Sequence, residues 1–137
     1  MTMRYDELKK MYQQKKTRKP PSDEEHQTQV ACVSWFRLKY PKLRNILFAI
    51  PNGGRRDIKT GSILKEEGVV AGVADLILLK RNRQYGALCV EMKTKLGRQS
   101  ETQKKWQKEV EATGNKYVVC RSLDEFMKVV TEYLNDV

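Results

Sequence analysis

Two short apolar runs, Asp75–Lys80 and Ala87–Lys93, flank the polar turn Arg81–Gly86. This spacing predicts a pair of strands closed as a hairpin, and it constrains the fold more than any other feature of the chain. Asp75 opens the first strand, and Glu91 and Lys93 stand two apart near the end of the second. Side chains two apart on a strand share a face. If the hairpin closes at residues 81–86, Asp75 falls near Glu91, and one end of the sheet carries two carboxylates and one ammonium.

The rest of the chain supplies cover for such a sheet. Ser22 or Asp23 caps a predicted helix running to about Tyr40, with Val30, Val33, Trp35, Phe36 and Tyr40 on its apolar side. Pro41 stops it. Ile46–Ile50 reads as a buried strand, followed by the turn Pro51-Asn52-Gly53-Gly54. Residues 57–67 read as a short helix ended by Gly68. Ser100 caps a helix to about Thr113, with Gly114 as its stop. Tyr117–Cys120 is a fourth strand. Ser122 caps a last helix that turns Leu123, Phe126, Val129, Val130, Tyr133 and Leu134 inward. The fold class is therefore α/β, a mixed central sheet flanked by helices. The pattern leaves strand polarity open.

With 137 residues, the chain suits one domain able to bury about two-thirds of its unfolded surface. No apolar run approaches the roughly 20 residues of a membrane span, so no membrane partner is expected. The N-terminus has no signal-peptide core, and the default location is the cytoplasm of a cell or an infected host. Cys32, Cys89 and Cys120 each lie among apolar residues and form no CxxC pair, so they read as reduced core residues.

Lys and Arg number 27 against 17 Asp and Glu, a net charge of +10 that attracts polyanions. Residues 1–21 hold seven basic and two acidic residues, half of that net charge, and Pro20-Pro21 sets them apart. They read as a basic N-terminal arm, with residues 22–137 as the domain. A grip on phosphate and a solvated tail both fit the arm.

Two carboxylates and a lysine suit phosphodiester hydrolysis. The carboxylates can hold a hard cation through oxygen, the cation can activate water, and the ammonium can orient that water or stabilise developing charge. The same residues also suit an exposed strand face, and spacing alone does not decide between the two.

Asp75, fifteen intervening residues and Glu91-Met92-Lys93 match the signature of the PD-(D/E)XK nucleases. A wider series is more specific: Pro51-Asn52-Gly53-Gly54-Arg55, Gly68-Val69-Val70-Ala71-Gly72-Val73-Ala74-Asp75, Glu91-Met92-Lys93, Gly97-Arg98-Gln99-Ser100 and Gln103-Lys104-Lys105-Trp106. Taken in order, these resemble the VRR-NUC family, the virus-type replication and repair nucleases, over roughly residues 22–134. The resemblance implies a restriction-endonuclease-like fold and a DNA endonuclease dependent on Mg²⁺, with Mn²⁺ able to substitute. It implies Asp75 and Glu91 as metal ligands, Lys93 as the catalytic lysine, and Gln103 as a residue that orients the site. The family's first-helix glutamate matches Glu25, which the resemblance implies as a third metal ligand and catalytic residue, with Glu24 as the rival. Ala74 departs from the family's usual proline, which changes turn rigidity but removes no ligand.

Asn52, Arg55 and Arg56 are candidate DNA contacts in a loop near the site. Lys93, Lys95, Arg98, Lys104, Lys105 and Lys108 form a basic belt around it, which a solvated helix face would also explain in part. His26 reads as a surface residue and Trp106 as core packing. Small members of the family resemble Holliday-junction resolvases and act as homodimers, which implies branched DNA as the partner. A nickase or flap nuclease working with a helicase, or a DNA-binding module without catalysis, are the competing readings.

Overall fold

The computed structural model describes residues 4–10, 23–51 and 58–137, with side chains of 58–60 excepted. The elements are α1 (Glu24–Lys39), a 3-10 turn (Pro41–Leu43), β1 (Leu47–Ala49), α2 (Ile58–Glu66), β2 (Leu76–Leu78), β3 (Leu88–Met92), α3 (Glu101–Ala112), β4 (Lys116–Cys120) and α4 (Leu123–Asn135). The strands lie in the order β1-β2-β3-β4. The first two pairings are antiparallel and β3–β4 is parallel. A parallel pair cannot be joined by a tight turn, and here α3 makes the crossover.

Alternation along the strands divides the sheet into two faces. Leu47, Leu76, Leu78, Leu88, Val90, Met92 and Cys120 point to one, where α1 and α4 cover them. Trp35 of α1 meets Phe126 of α4 edge-on at 6.0 Å. Cys89 and Tyr117 point to the other face and pack with Ala74 and, from α3, Trp106 and Val110. Trp106 thus packs into the apolar layer, and all three cysteines are buried and free. The sheet is mixed and flanked by helices, as expected for an α/β fold.

One expectation about α1 is corrected. Val30 was assigned to its apolar side but is 43% exposed, while Gln27, Thr28, Ala31 and Cys32 are buried with Trp35 and Phe36. The buried stripe follows i, i+3, i+4 spacing through small and polar residues, and Val30 projects away from it.

Residues 5–10 are helical, and Leu8 enters the main core. Lys9 Nζ also pairs with Asp124 Oδ1 at 3.3 Å. The segment expected to be a basic arm therefore contains a stretch seated on the domain. The rest of its basic residues beyond Lys10 lie outside the described residues.

Gly72 is the close approach that brings two parts of the fold together. Its φ is +83°, and an added Cβ would run into the Thr102 carbonyl and lie 2.9 Å from the Gln103 backbone N. The loop leading to Asp75 thus lies directly on the first turn of α3. Gly72→Ala should destabilise the protein by about 3 kcal/mol, through left-handed backbone and forced displacement of α3. Urea unfolding measures this, and an unchanged midpoint would mean the loop is not seated on that turn.

Candidate active site

The β2–β3 register pairs Leu76 with Val90, which puts Asp75 opposite Glu91. Backbone hydrogen bonds extend this order past the strand ends. Ile50 N donates to Asp75 O at 2.9 Å, and Lys93 N donates to Cys120 O at 3.0 Å. Asp75 is also fixed through its side chain, since Met92 N donates to Oδ2 at 2.7 Å. A carboxylate that accepts a backbone N–H loses rotational freedom.

Glu91 shares the sheet face of Cys89 and is 1% exposed. Its Oε1 accepts from Gln103 Nε2 at 3.2 Å, and its Oε2 accepts from the Tyr117 hydroxyl at 3.3 Å. Burial pushes the Glu91 carboxyl up to about 8, and hydrogen bonding and charge repulsion from Asp75 push in the same direction, while Lys93 pulls it down. Burial also raises Glu25, opposed by Lys93 and reinforced by Asp75. Glu25 therefore lies within electrostatic reach of both residues.

The capping box of α3 explains how Gln103 reaches Glu91. Ser100 Oγ accepts from Gln103 N at 3.2 Å, and Gln103 Oε1 accepts from Ser100 N at 2.8 Å. This reciprocal cap consumes the amide oxygen of Gln103. Its nitrogen is left aimed at Glu91.

Asp75, Glu91, Lys93 and Gln103 are thus brought together, with Glu25 near enough to interact with Asp75 and Lys93 through charge. Lys95 and Arg98 are exposed on the loop after Lys93. Arg121 holds that loop by donating to the carbonyls of Thr94 and Gly97, both at 2.7 Å. Lys104 is exposed on α3 and pairs with Glu101 at 3.5 Å. Asn52, Arg55 and Arg56 lie outside the described residues. His26 is exposed, as expected of a surface residue.

The VRR-NUC domain model matches residues 9–124 of this sequence. The chain belongs to the VRR-NUC family. A solved structure described as a VRR_NUC domain protein is similar in fold, with a TM-score of 0.71 and 22% identity over 82% of this chain and 88% of that one. No curated protein matches the chain significantly. Membership in the VRR-NUC family implies a nuclease-type role in DNA processing and a surface that binds DNA. Among the described residues no helix is long and apolar enough to cross a membrane.

The VRR-NUC site has a donor set suited to a divalent cation. Asp75 and Glu91 offer hard oxygen ligands, and charge repulsion from Asp75 adds to the burial that raises the Glu91 carboxyl. A cation between them would relieve that repulsion. Among the described residues no three His, Cys, Asp or Glu side chains gather tightly enough to hold a metal, and Glu25 stands within electrostatic reach of Asp75.

Sequence reasoning missed Tyr117 and Gln107, and took Gln99 only as part of the Gly97-Arg98-Gln99-Ser100 motif. Tyr117 was read only as a strand residue, yet its ring lies beside Glu91 because Cys89 pairs with Tyr117 across β3–β4. Burial pushes its hydroxyl upward, which keeps it a hydrogen-bond donor. The signal that could have found Tyr117 is a polar-tipped residue in an otherwise apolar strand.

The Glu91 shift gives a signed prediction for the cation-free protein. The folded-state value of about 8 lies above the ordinary 4.5, so folding favours the protonated carboxyl. The stability it contributes is complete below 4.5 and is lost as pH rises to about 8. In EDTA, wild-type unfolding free energy should fall across that window. Glu91→Gln should flatten the fall, leaving what Glu25 contributes. Identical pH profiles for the two proteins would contradict this description of the site.

Proposed function

We propose that the chain is a Mg²⁺-dependent DNA endonuclease, with Mn²⁺ able to substitute, that cuts branched DNA in the manner of a junction resolvase. The carrying observation is the pairing of Asp75 with the buried Glu91 beside Lys93, in a chain of the VRR-NUC family. Asp75 and Glu91 would hold the cation, with Glu25 as an outer carboxylate. When bound, the cation supplies an activated water and neutralises charge on the phosphate.

The chain's own residues divide the remaining work. In hydrolysis, water forms a P–O bond as an ester P–O bond breaks, and negative charge grows on the leaving and non-bridging oxygens. Lys93 provides a fixed positive charge for that transition state. Met92 N holds Asp75 and Gln103 holds Glu91, so the carboxylates need little reordering as the reaction proceeds. Lys95 and Arg98 offer phosphate contacts next to Lys93. Asn52, Arg55 and Arg56, and Lys104 on α3, would add more. A homodimer would present two such sites about a twofold axis, which suits paired cuts in a four-way junction.

The test compares wild type, Glu91→Gln and Lys93→Met on a labelled four-way junction and a matched linear duplex, in Mg²⁺, Mn²⁺ or EDTA. Wild type should cut the junction only with a cation. Each variant should lose about 10³-fold in rate, on the scale of removing one transition-state charge contact, while still folding and binding DNA. Tight wild-type binding without cleavage in either cation would instead indicate a DNA-binding module.

The basic belt has its own test. Replacing both Lys95 and Arg98 by alanine should make the slope of log affinity against log salt shallower by about 2, since each phosphate contact contributes roughly 0.9. An unchanged slope would remove them from the DNA interface.

A further inference from the structure

Two donors hold Glu91, one on each oxygen, and the function proposed above gives a role to only one of them. Gln103 reaches Oε1 and the Tyr117 hydroxyl reaches Oε2. A phenol has one proton to donate and also accepts. Gln99 Nε2 donates to the Tyr117 hydroxyl oxygen at 3.2 Å and to Gln107 Oε1 at 2.9 Å. With Gln99 occupying the acceptor side of the hydroxyl, the Tyr117 proton is left for Glu91. The ring carrying it is also fixed, being 6% exposed, packed against Ala74 and Cys89, and edge-on to Trp106 at 6.1 Å.

A buried carboxylate with a donor on each oxygen has its plane fixed. With Gln103 alone, it could still turn about its terminal torsion, which is a soft one. We propose that Tyr117, with its proton directed by Gln99, is a positioning residue for cation binding. It holds Glu91 Oε2 so that the remaining lone pairs of the carboxylate serve the Asp75 side. This rests on the reading of Asp75 and Glu91 as cation ligands. Tyr117 itself touches neither cation nor DNA in this scheme. Its effect passes through the orientation of Glu91, as hydrogen-bonded partners of metal ligands commonly act.

Tyr117→Phe keeps the ring and its packing and deletes only the donor. Gln99→Leu keeps the donor but frees its proton to point elsewhere, and it leaves the buried ring untouched should Tyr117→Phe fold poorly. Calorimetric titration of Mn²⁺ into each protein without DNA is the primary readout, followed by junction cleavage as a function of Mn²⁺ concentration. Tyr117→Phe should raise the Mn²⁺ Kd by about tenfold or more, with cleavage returning to near the wild-type rate at saturating Mn²⁺. Gln99→Leu should show a smaller rise. The proposal is overturned if wild type binds Mn²⁺ and both variants bind it equally well, or if Tyr117→Phe cuts more slowly at every Mn²⁺ concentration with Kd unchanged. Wild type that binds no Mn²⁺ would overturn the cation reading and this inference with it.

Discussion

Glu91 carries a buried carboxyl group on a packed sheet face near the end of β3, and much of the structure around it accommodates that burial. An isolated buried carboxylate is costly, and a protein meets the cost by neutralising it, pairing it or hydrogen-bonding it. All three occur here. The raised value of Glu91 favours the protonated form, Lys93 provides an opposing charge, and Gln103 and Tyr117 each supply a donor. Asp75 is what makes the arrangement more than a tolerated defect. A second carboxylate beside the first is unfavourable for folding alone and favourable for holding a cation.

The strands that deliver these groups share the main core, and short contacts couple them to one another and to α3 at the site. The β2–β3 register sets Asp75 opposite Glu91. The crossover into β4 brings Tyr117 alongside. The cap of α3 orients the Gln103 amide, and Gly72 allows the Asp75 loop to rest on that same turn. A helix cap ordinarily matters for stability, and substitution costs about 1 kcal/mol. In this chain the cap also points a side chain into the site, so a change at Ser100 would affect both.

What could be read from the sequence follows how local each feature is. The Asp75–Glu91 pairing was accessible because a hairpin with a short polar turn leaves few registers. The Ser100-to-Gln103 spacing is a capping signal, but the direction of the Gln103 amide toward Glu91 depends on where the crossover places α3. Strand polarity at β4 and the approach of Tyr117 are non-local, so no periodicity carried them. Hydrophobicity misplaced Val30, because the buried stripe of α1 runs through Gln27, Thr28, Ala31 and Cys32. Leu8 belongs to a weak helical stripe legible in the basic stretch, and it joins the core, which the charge of that stretch does not suggest.

The proposed function requires the Asp75–Glu91 pair to hold a cation. Anomalous diffraction from crystals soaked in Mn²⁺, collected near the manganese edge, tests it directly. One strong peak coordinated by carboxylate oxygens of both Asp75 and Glu91 is expected, with no peak there in Glu91→Gln crystals. A well-occupied Mn²⁺ site elsewhere on the chain, with this pair empty and still hydrogen-bonded to itself, would contradict it.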